Sequence, residues 1–230
     1  MLKVENLNVA YGQSHIVHDV SFEVKPREIV AVMGRNGMGK STLLKSLIGM
    51  VPPKSGKVEV NGTDVTFLES YRHVEKGIAF VPQGRHVFSN LTVEENIRAG
   101  LRIKEHWVQL RTEVYSIFDV LCKMRGRKAG NLSGGQQQQL AIARALVAEP
   151  RVLILDEPTE GIQPSIIKDL ARQINDLKLS KDLAIVVSEQ VLSFTIDIAD
   201  KMYVIESGRF VREDTRGNFD VEKITSYLSV

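Results

Sequence analysis

Apolar positions change their rhythm along this chain, and each rhythm predicts a different kind of element. Leu2, Val4 and Val9, then Val20, Phe22 and Val24, alternate with polar residues, the period of two expected of half-buried strands. Val58-Glu-Val60 runs into Asn61-Gly62, a dipeptide suited to a hairpin because both residues tolerate positive φ. Residues 1–28 and 57–66 therefore predict a small antiparallel β subdomain. The runs at 29–33, 152–155 and 183–187 are continuously apolar, as parallel strands covered on both faces by helices are. They place 29–56, 67–84 and 149–230 in a core built on a mainly parallel sheet. Between Asn90 and Leu121, Thr92-Val-Glu-Glu95 matches a capping box and apolar residues recur three and four apart through Ile117, Val120 and Leu121; residues 85–148 are read as a helical insertion. Pro52-Pro53, Pro82 and Pro150 punctuate the junctions, and a closing helix through Val221, Ile224 and Leu228 follows Asn218. The expected fold is one α/β domain over residues 1–230, a mainly parallel sheet with flanking helices plus the two subdomains.

Composition narrows the partners. With 43% hydrophobic and 25% charged residues, the chain is ordinary globular material and excludes disorder, fibres and disulfide scaffolds. A formal net charge of +2, with only a short glycine-interrupted basic stretch at 123–128, argues against nucleic acid as a partner. The single cysteine, Cys122, sits among Val120, Leu121 and Met124 and reads as packed and inert. No apolar run approaches the roughly 20 residues a membrane span needs, and the amino terminus lacks the basic-then-apolar order of a secretory signal. The expectation is a cytoplasmic protein that does not cross a bilayer alone.

Gly34-Arg-Asn-Gly-Met-Gly-Lys40-Ser41 matches the phosphate-binding loop pattern. The buried strand before it and the apolar-faced helix from Thr42 to Ile48 after it supply the required context, against the alternative of an ordinary glycine turn. Gly34, Gly37 and Gly39 let the backbone of residues 34–42, with Arg35, Asn36, Met38 and Thr42 between and after them, wrap close to phosphate oxygens. Lys40 adds a cation for the terminal phosphates, and the Ser41 hydroxyl is placed for Mg²⁺. A P-loop nucleotide-binding core follows. The run at 152–155 ends in Asp156-Glu157-Pro158, carboxylates where α/β sheets bind ligands. Taken alone the pair could be a solvated strand end. Beside a phosphate loop, Asp156 is read as a holder of Mg²⁺ and Glu157 as the base or polariser of the attacking water.

Leu132-Ser-Gly-Gly-Gln136 precedes Gln137-Gln-Gln139 and an apolar helix. Ser133, Gly134, Gly135 and Gln136 would present a hydroxyl and backbone N–H groups at a helix start, which suits an anion; a glycine turn before a glutamine run is the alternative. This segment resembles the ABC ATPase signature, and the resemblance covers nearly the whole chain, with Tyr11, the phosphate loop, Gln83, the signature, the acidic strand and a switch region near Gln190 in the family's order. It implies an ATP-hydrolysing subunit with ATP and Mg²⁺ as cofactors, in which two ATPase domains pair head to tail and Ser133, Gly134 and Gly135 act on ATP held by the other. Tyr11 matches the position that stacks on adenine, with core packing the alternative for an aromatic residue. Gln83 matches the glutamine that meets Mg²⁺ and the attacking water while sensing the membrane partner. The five histidines show no metal-ligand spacing.

Two positions depart from the family's common pattern. Gln190 stands where histidine is usual, placed by the interval to Ala199-Asp200; Glu189 takes that place only if the alignment slips by one. A glutamine can hydrogen-bond a phosphate but cannot relay a proton, so catalysis should rest more heavily on Glu157. Gln163 stands where aspartate is usual, in Thr159-Glu-Gly-Ile-Gln-Pro164. Both departures are similar to the branched-chain amino-acid and urea branch of bacterial importers, with the glutamine run and residues 159–167 most like the urea-type subunit. The resemblance implies a peripheral subunit at the cytoplasmic face of the plasma membrane. Its partners would be transmembrane permease subunits, a second ATPase subunit as homodimer or paralogue heterodimer, and indirectly a solute-binding protein. A non-transport ABC ATPase shares these motifs but usually carries tandem cassettes or a coiled-coil insertion, and an ATP-gated clamp with little hydrolysis is prompted by Gln190 and opposed by Glu157.

Overall fold

The computed structural model, in which residues 2–228 are described, shows why the amino-terminal alternation slips. Leu2 and Val4 are followed by Leu7 and Val9 on the buried side of β1 (Leu2–Tyr11), and Val17 and Val20 show the same three-residue step on β2 (Ser14–Val24). The register shifts between Val4 and Leu7, where Asn6 takes φ 48° opposite Asp19 at φ 54°. Asn6 Nδ2 donates to Asp19 Oδ1 at 2.8 Å and Asp19 N to Asn8 Oδ1 at 3.0 Å, so short polar side chains stabilise the bulge and keep the apolar face inward. β4 (Ser55–Val60) pairs antiparallel with β1, and β5 (Thr63–Asp64) closes the hairpin on β4. Asn61 and Gly62 both have positive φ, as the sequence predicts for that turn. The sheet order is β2-β1-β4-β5.

The second sheet runs β10-β9-β3-β8-β7-β6. Its strands are β3 (Ile29–Met33), β6 (Ile78–Val81), β7 (Val152–Asp156), β8 (Ala184–Glu189), β9 (Lys201–Glu206) and β10 (Arg209–Thr215). All neighbours are parallel except the β9/β10 pair. Every residue of β3, β7 and β8 is buried, which explains their uninterrupted apolar runs. Alternate residues serve two cores. Val30, Val32, Val152, Ile154 and Val186 pack with α1 (Lys40–Leu47) and the antiparallel sheet, whereas Leu153, Leu155, Ile185 and Val187 pack with α6 (Gly134–Leu146) and α7 (Pro164–Ser180). Truncating a fully buried leucine such as Leu153 to alanine in such a layer costs roughly 2–5 kcal/mol. The short α2 (Ser70–Glu75) precedes β6, while α8 (Leu192–Ile198) and α9 (Val221–Leu228) pack a smaller cluster against Met33, Met202 and Val204.

Residues between β6 and β7 carry the helices α3 (Val93–Arg98), α4 (Trp107–Ile117), α5 (Asp119–Lys123) and α6. Thr92 and Glu95 form the predicted capping box on α3. The periodic stretch through Leu121 is not one helix. It breaks at Phe118, with φ −118° and ψ 71°, and the turn keeps Phe118 itself fully buried together with Val114 and Leu121. Cys122 is half-buried, and the basic stretch after it is mostly exposed. No helix among the described residues is long and apolar enough to cross a membrane.

Candidate functional site

The loops that leave the carboxyl ends of β3, β6, β7 and β8 meet on one side of the sheet, where open parallel sheets bind ligands. After β3 the chain turns through Gly37 (φ 80°) and Gly39 (φ 104°) before α1 begins. Gly34 is needed for a different reason: a Cβ there would lie 2.6 Å from the Ile205 backbone oxygen. No side chain caps the first turn of α1, so its N–H groups remain directed at the loop's interior. Lys40 is buried, with Nζ donating to Gly34 O at 2.7 Å and Arg35 O at 3.1 Å and paired with Glu157 Oε1 at 3.1 Å. Ile16, Asn36, Gly37, Gly39, Thr42 and Gln83 line a cleft of about 330 Å³ together with Lys40, Ser41 and Glu157.

Registry between β7 and β8 places Asp156 opposite Ser188. Asp156 Oδ1 accepts from Ser41 Oγ at 3.1 Å and from Ser188 Oγ at 2.5 Å. Burial holds the Asp156 carboxyl above the ordinary aspartate range, against the two hydroxyl hydrogen bonds that favour its charge. Glu157 takes φ 46°, an uncommon conformation for a non-glycine residue. Its backbone N–H is held by Ser188 O and Ser188 Oγ, each at 3.1 Å. Its carboxylate accepts from Gln190 Nε2 at 3.0 Å on both oxygens, while the same amide donates to Asn36 Oδ1 at 2.9 Å. Gln190, and not Glu189, therefore meets the cleft's lining, at Asn36 and Glu157. Glu189 turns into the protein, where its carboxylate binds Thr159.

The remaining predicted residues are distributed around this centre. Gln83 reaches the cleft, its amide donating to Glu160 Oε1 at 3.3 Å. Tyr11 is 49% exposed at the end of β1, so it does not serve as core. Ser133 is an exposed N-cap of α6, joined reciprocally to Gln136 in a capping box, with Ser133 N to Gln136 Oε1 at 3.0 Å. Ser133, Gly134, Gly135 and Gln136 lie outside the lining of the Lys40 cleft, as do Tyr11, Arg35 and Met38, Met38 packing on the β-sheet core. A Cβ on Gly135 would meet Ile166 Cγ2 at 2.6 Å, and one on Gly134 would meet Gly161 O at 3.0 Å. The signature glycines thus allow close packing against α7 and the loop after β7. Gln138 and Gln139 are buried, and Gln139 donates to Gln173 Oε1 at 3.1 Å, so the glutamine run is built into a helix interface. Ser188 and the inward role of Glu189 are new to the structure. Their one sequence signal is that two polar residues close an otherwise apolar strand.

A glycine loop leading into a helix, a buried lysine at the start of that helix and two acids at the end of a buried parallel strand one strand removed in the sheet define a P-loop nucleotide-binding protein. Comparison with known proteins narrows the class. The ABC transporter family matches residues 17–160. Two curated relatives are each 41% identical to the chain: the high-affinity branched-chain amino acid transport ATP-binding protein BraG of Pseudomonas aeruginosa, over 94% of this chain and 93% of that one, and the probable branched-chain amino acid transport ATP-binding protein LivF of Archaeoglobus fulgidus, over 91% and 89%. The lipopolysaccharide export system ATP-binding protein LptB of Haemophilus influenzae is 32% identical over 94% of this chain and 90% of its own. Among solved structures, a nucleotide-free ATP-binding cassette from an ABC transporter superposes with a TM-score of 0.87 at 26% identity, covering 100% of this chain and 95% of that one. The chain belongs to the ABC transporter ATP-binding family and is an ATPase that binds ATP.

Proposed function

We propose that this chain powers the uptake of a small solute, a branched-chain amino acid or an amide such as urea, by closing as an ATP-bound dimer beneath transmembrane permease subunits. The direction of transport and the solute class are supported by the two relatives that share 41% identity and by Gln163 and Gln190, which match that importer branch. The chain acts as a peripheral subunit at the cytoplasmic face of the membrane, with a solute-binding protein delivering cargo to the permease. It pairs with a second ATPase subunit, either another copy or a paralogue, and its site residues act in two halves. Residues 34–42 wrap the phosphates of ATP with backbone N–H groups, and Lys40 supplies a cation held in place by the Gly34 and Arg35 carbonyls. Tyr11 stacks on the adenine, and Ser133, Gly134, Gly135 and Gln136 of the opposing chain close over the terminal phosphate from a helix start whose N-cap, Ser133, is exposed.

The residues present fit Mg²⁺. Ser41 and Asp156 are hard oxygen donors already 3.1 Å apart, and the described residues contain no cluster of three or more His, Cys, Asp or Glu that would demand a softer or fully protein-bound metal. Mg²⁺ commonly takes only one or two protein oxygens beside phosphate. Ser41 and Asp156 would hold the ion, with Gln83 at the cleft edge, and bound there it neutralises charge that develops on the phosphates. Ser188 fixes the Asp156 carboxylate and the Glu157 backbone together. Glu157 orients the attacking water and accepts its proton, and Gln190 steers that carboxylate without taking the proton itself. The observation that carries the reading is the Glu157 carboxylate, held at the mouth of the phosphate loop by Lys40 at 3.1 Å and Gln190 at 3.0 Å. A Glu157→Gln variant is expected to bind ATP and accumulate as a dimer while turnover falls steeply. Hydrolysis at the parental rate would remove Glu157 from the role of base.

A further inference from the structure

The carboxylate of Glu189 has no part in the chemistry just described, yet it is 2% exposed. Burying a charge is costly unless it is fully hydrogen-bonded. Here four donors surround it. Oε1 accepts from Thr159 N at 3.0 Å and Thr159 Oγ1 at 2.6 Å, and Oε2 accepts from Gln190 N at 2.9 Å and Val191 N at 3.2 Å. The first pair belongs to the loop that follows β7, the second to the loop that follows β8. Thr159 itself is buried, two residues beyond Glu157.

These bonds close a circuit. From the Glu157 carboxylate it passes to the Gln190 side chain, through Gln190 N to Glu189 and across to Thr159. It then returns along the backbone to Glu157, where Glu160 N donates to Glu157 O at 3.1 Å. The loop held by Thr159 continues to Gly161, whose carbonyl lies against the signature at Gly134. We propose that Glu189 is a positioning residue for hydrolysis, a two-sided brace that makes the loop carrying Glu157 and the loop carrying Gln190 move as one body and ties both to the signature helix. Only a carboxylate can do this. It presents two acceptor oxygens to two pairs of donors, whereas a glutamine must turn its NH₂ group toward one pair.

The inference rests on the reading of Glu157 as the base, and five variants of the full chain separate the two. For Glu189→Gln, kcat is expected to fall about 10-fold, the range seen when a partner that orients an active group is lost. KM for ATP should stay within about two-fold, because the brace acts on the reacting geometry rather than on nucleotide binding. Thr159→Val removes one donor without changing shape and should lower kcat in the same direction, while Thr159→Ser keeps the hydroxyl and should restore it. Adding Glu189→Gln to Glu157→Gln should produce no further decrease. Should Glu189→Gln leave kcat at the parental value, or Thr159→Val and Thr159→Ser behave alike, the brace is refuted whatever Glu157 does. Should Glu189→Gln prove unable to fold, the Thr159 pair decides. A Glu157→Gln variant that hydrolyses normally refutes the base and leaves the brace to be judged on its own kcat.

Discussion

Replacing Gln190 by alanine removes an amide that holds the Glu157 carboxylate from one side while leaving Lys40 on the other. Gln190 Nε2 donates to both carboxylate oxygens at 3.0 Å and to Asn36 Oδ1 at 2.9 Å. A hydrogen bond to a charged group contributes about 1.5–3 kcal/mol. That range is an upper bound here, because Lys40 Nζ still holds Oε1 at 3.1 Å and Gln190 is only partly buried. Taking about 1–2 kcal/mol as the loss of orientation, and 1.36 kcal/mol per factor of ten in rate, kcat should fall about 5- to 30-fold. Removing the base itself should cost more, about 10²- to 10⁴-fold, so Glu157→Gln provides the reference. The assay is steady-state phosphate release by the full chain at saturating magnesium-ATP near neutral pH. A loss as deep as that of Glu157→Gln would show that the amide is itself indispensable, and an unchanged rate would show that it does not orient the carboxylate. Either result refutes the division of labour derived from these distances.

Gly34→Ala forces a Cβ to within 2.6 Å of the Ile205 backbone oxygen, a contact that backbone cannot relieve cheaply; a loss of about 1–3 kcal/mol should lower Tm by several degrees in calorimetry as well as weaken ATP binding. Asp156→Asn should show opposite effects on stability and function. Burial raises the folded pKa of Asp156 above its unfolded value, so its stabilising contribution is complete below the unfolded pKa and is lost as pH rises through the raised folded value. The variant should therefore melt higher than the parent at neutral pH without nucleotide while failing to hydrolyse ATP. His73 gives the reverse dependence. It is fully buried between Leu47 O at 3.0 Å and Leu68 O at 3.2 Å, and burial lowers its pKa below the ordinary histidine value. Below about pH 6.5 the unfolded chain takes up a proton that the folded ring resists, so stability falls as the solution is acidified. His73→Gln should flatten a denaturation-midpoint profile between neutral and mildly acid pH, and an unaltered slope would exclude the ring as its source.

What the sequence determined by itself is local. Glycine spacing at 34, 37 and 39, the lysine after it, the capping residues Thr92 and Ser133, the Asn61-Gly62 turn and the unbroken apolar runs each act through neighbours a few residues away, so their consequences can be read in one dimension. The phosphate loop, the strand carrying Asp156 and Glu157, and the α/β layering follow from such signals. Other features needed the tertiary structure, because they join residues far apart along the chain. Asp156 meets Ser188 only through the β7/β8 register, and Glu157 meets Gln190 and Lys40 across separate loops. Phe118 breaks a helix whose periodicity runs on without interruption, and its ring is buried in the same core cluster as Val114 and Leu121. Glu189 is the clearest instance. Between an apolar strand and a glutamine its charge has no evident use; the N–H groups of Gln190 and Val191 are local, and only the fold supplies the Thr159 hydroxyl and N–H that complete the set and make burying it tolerable.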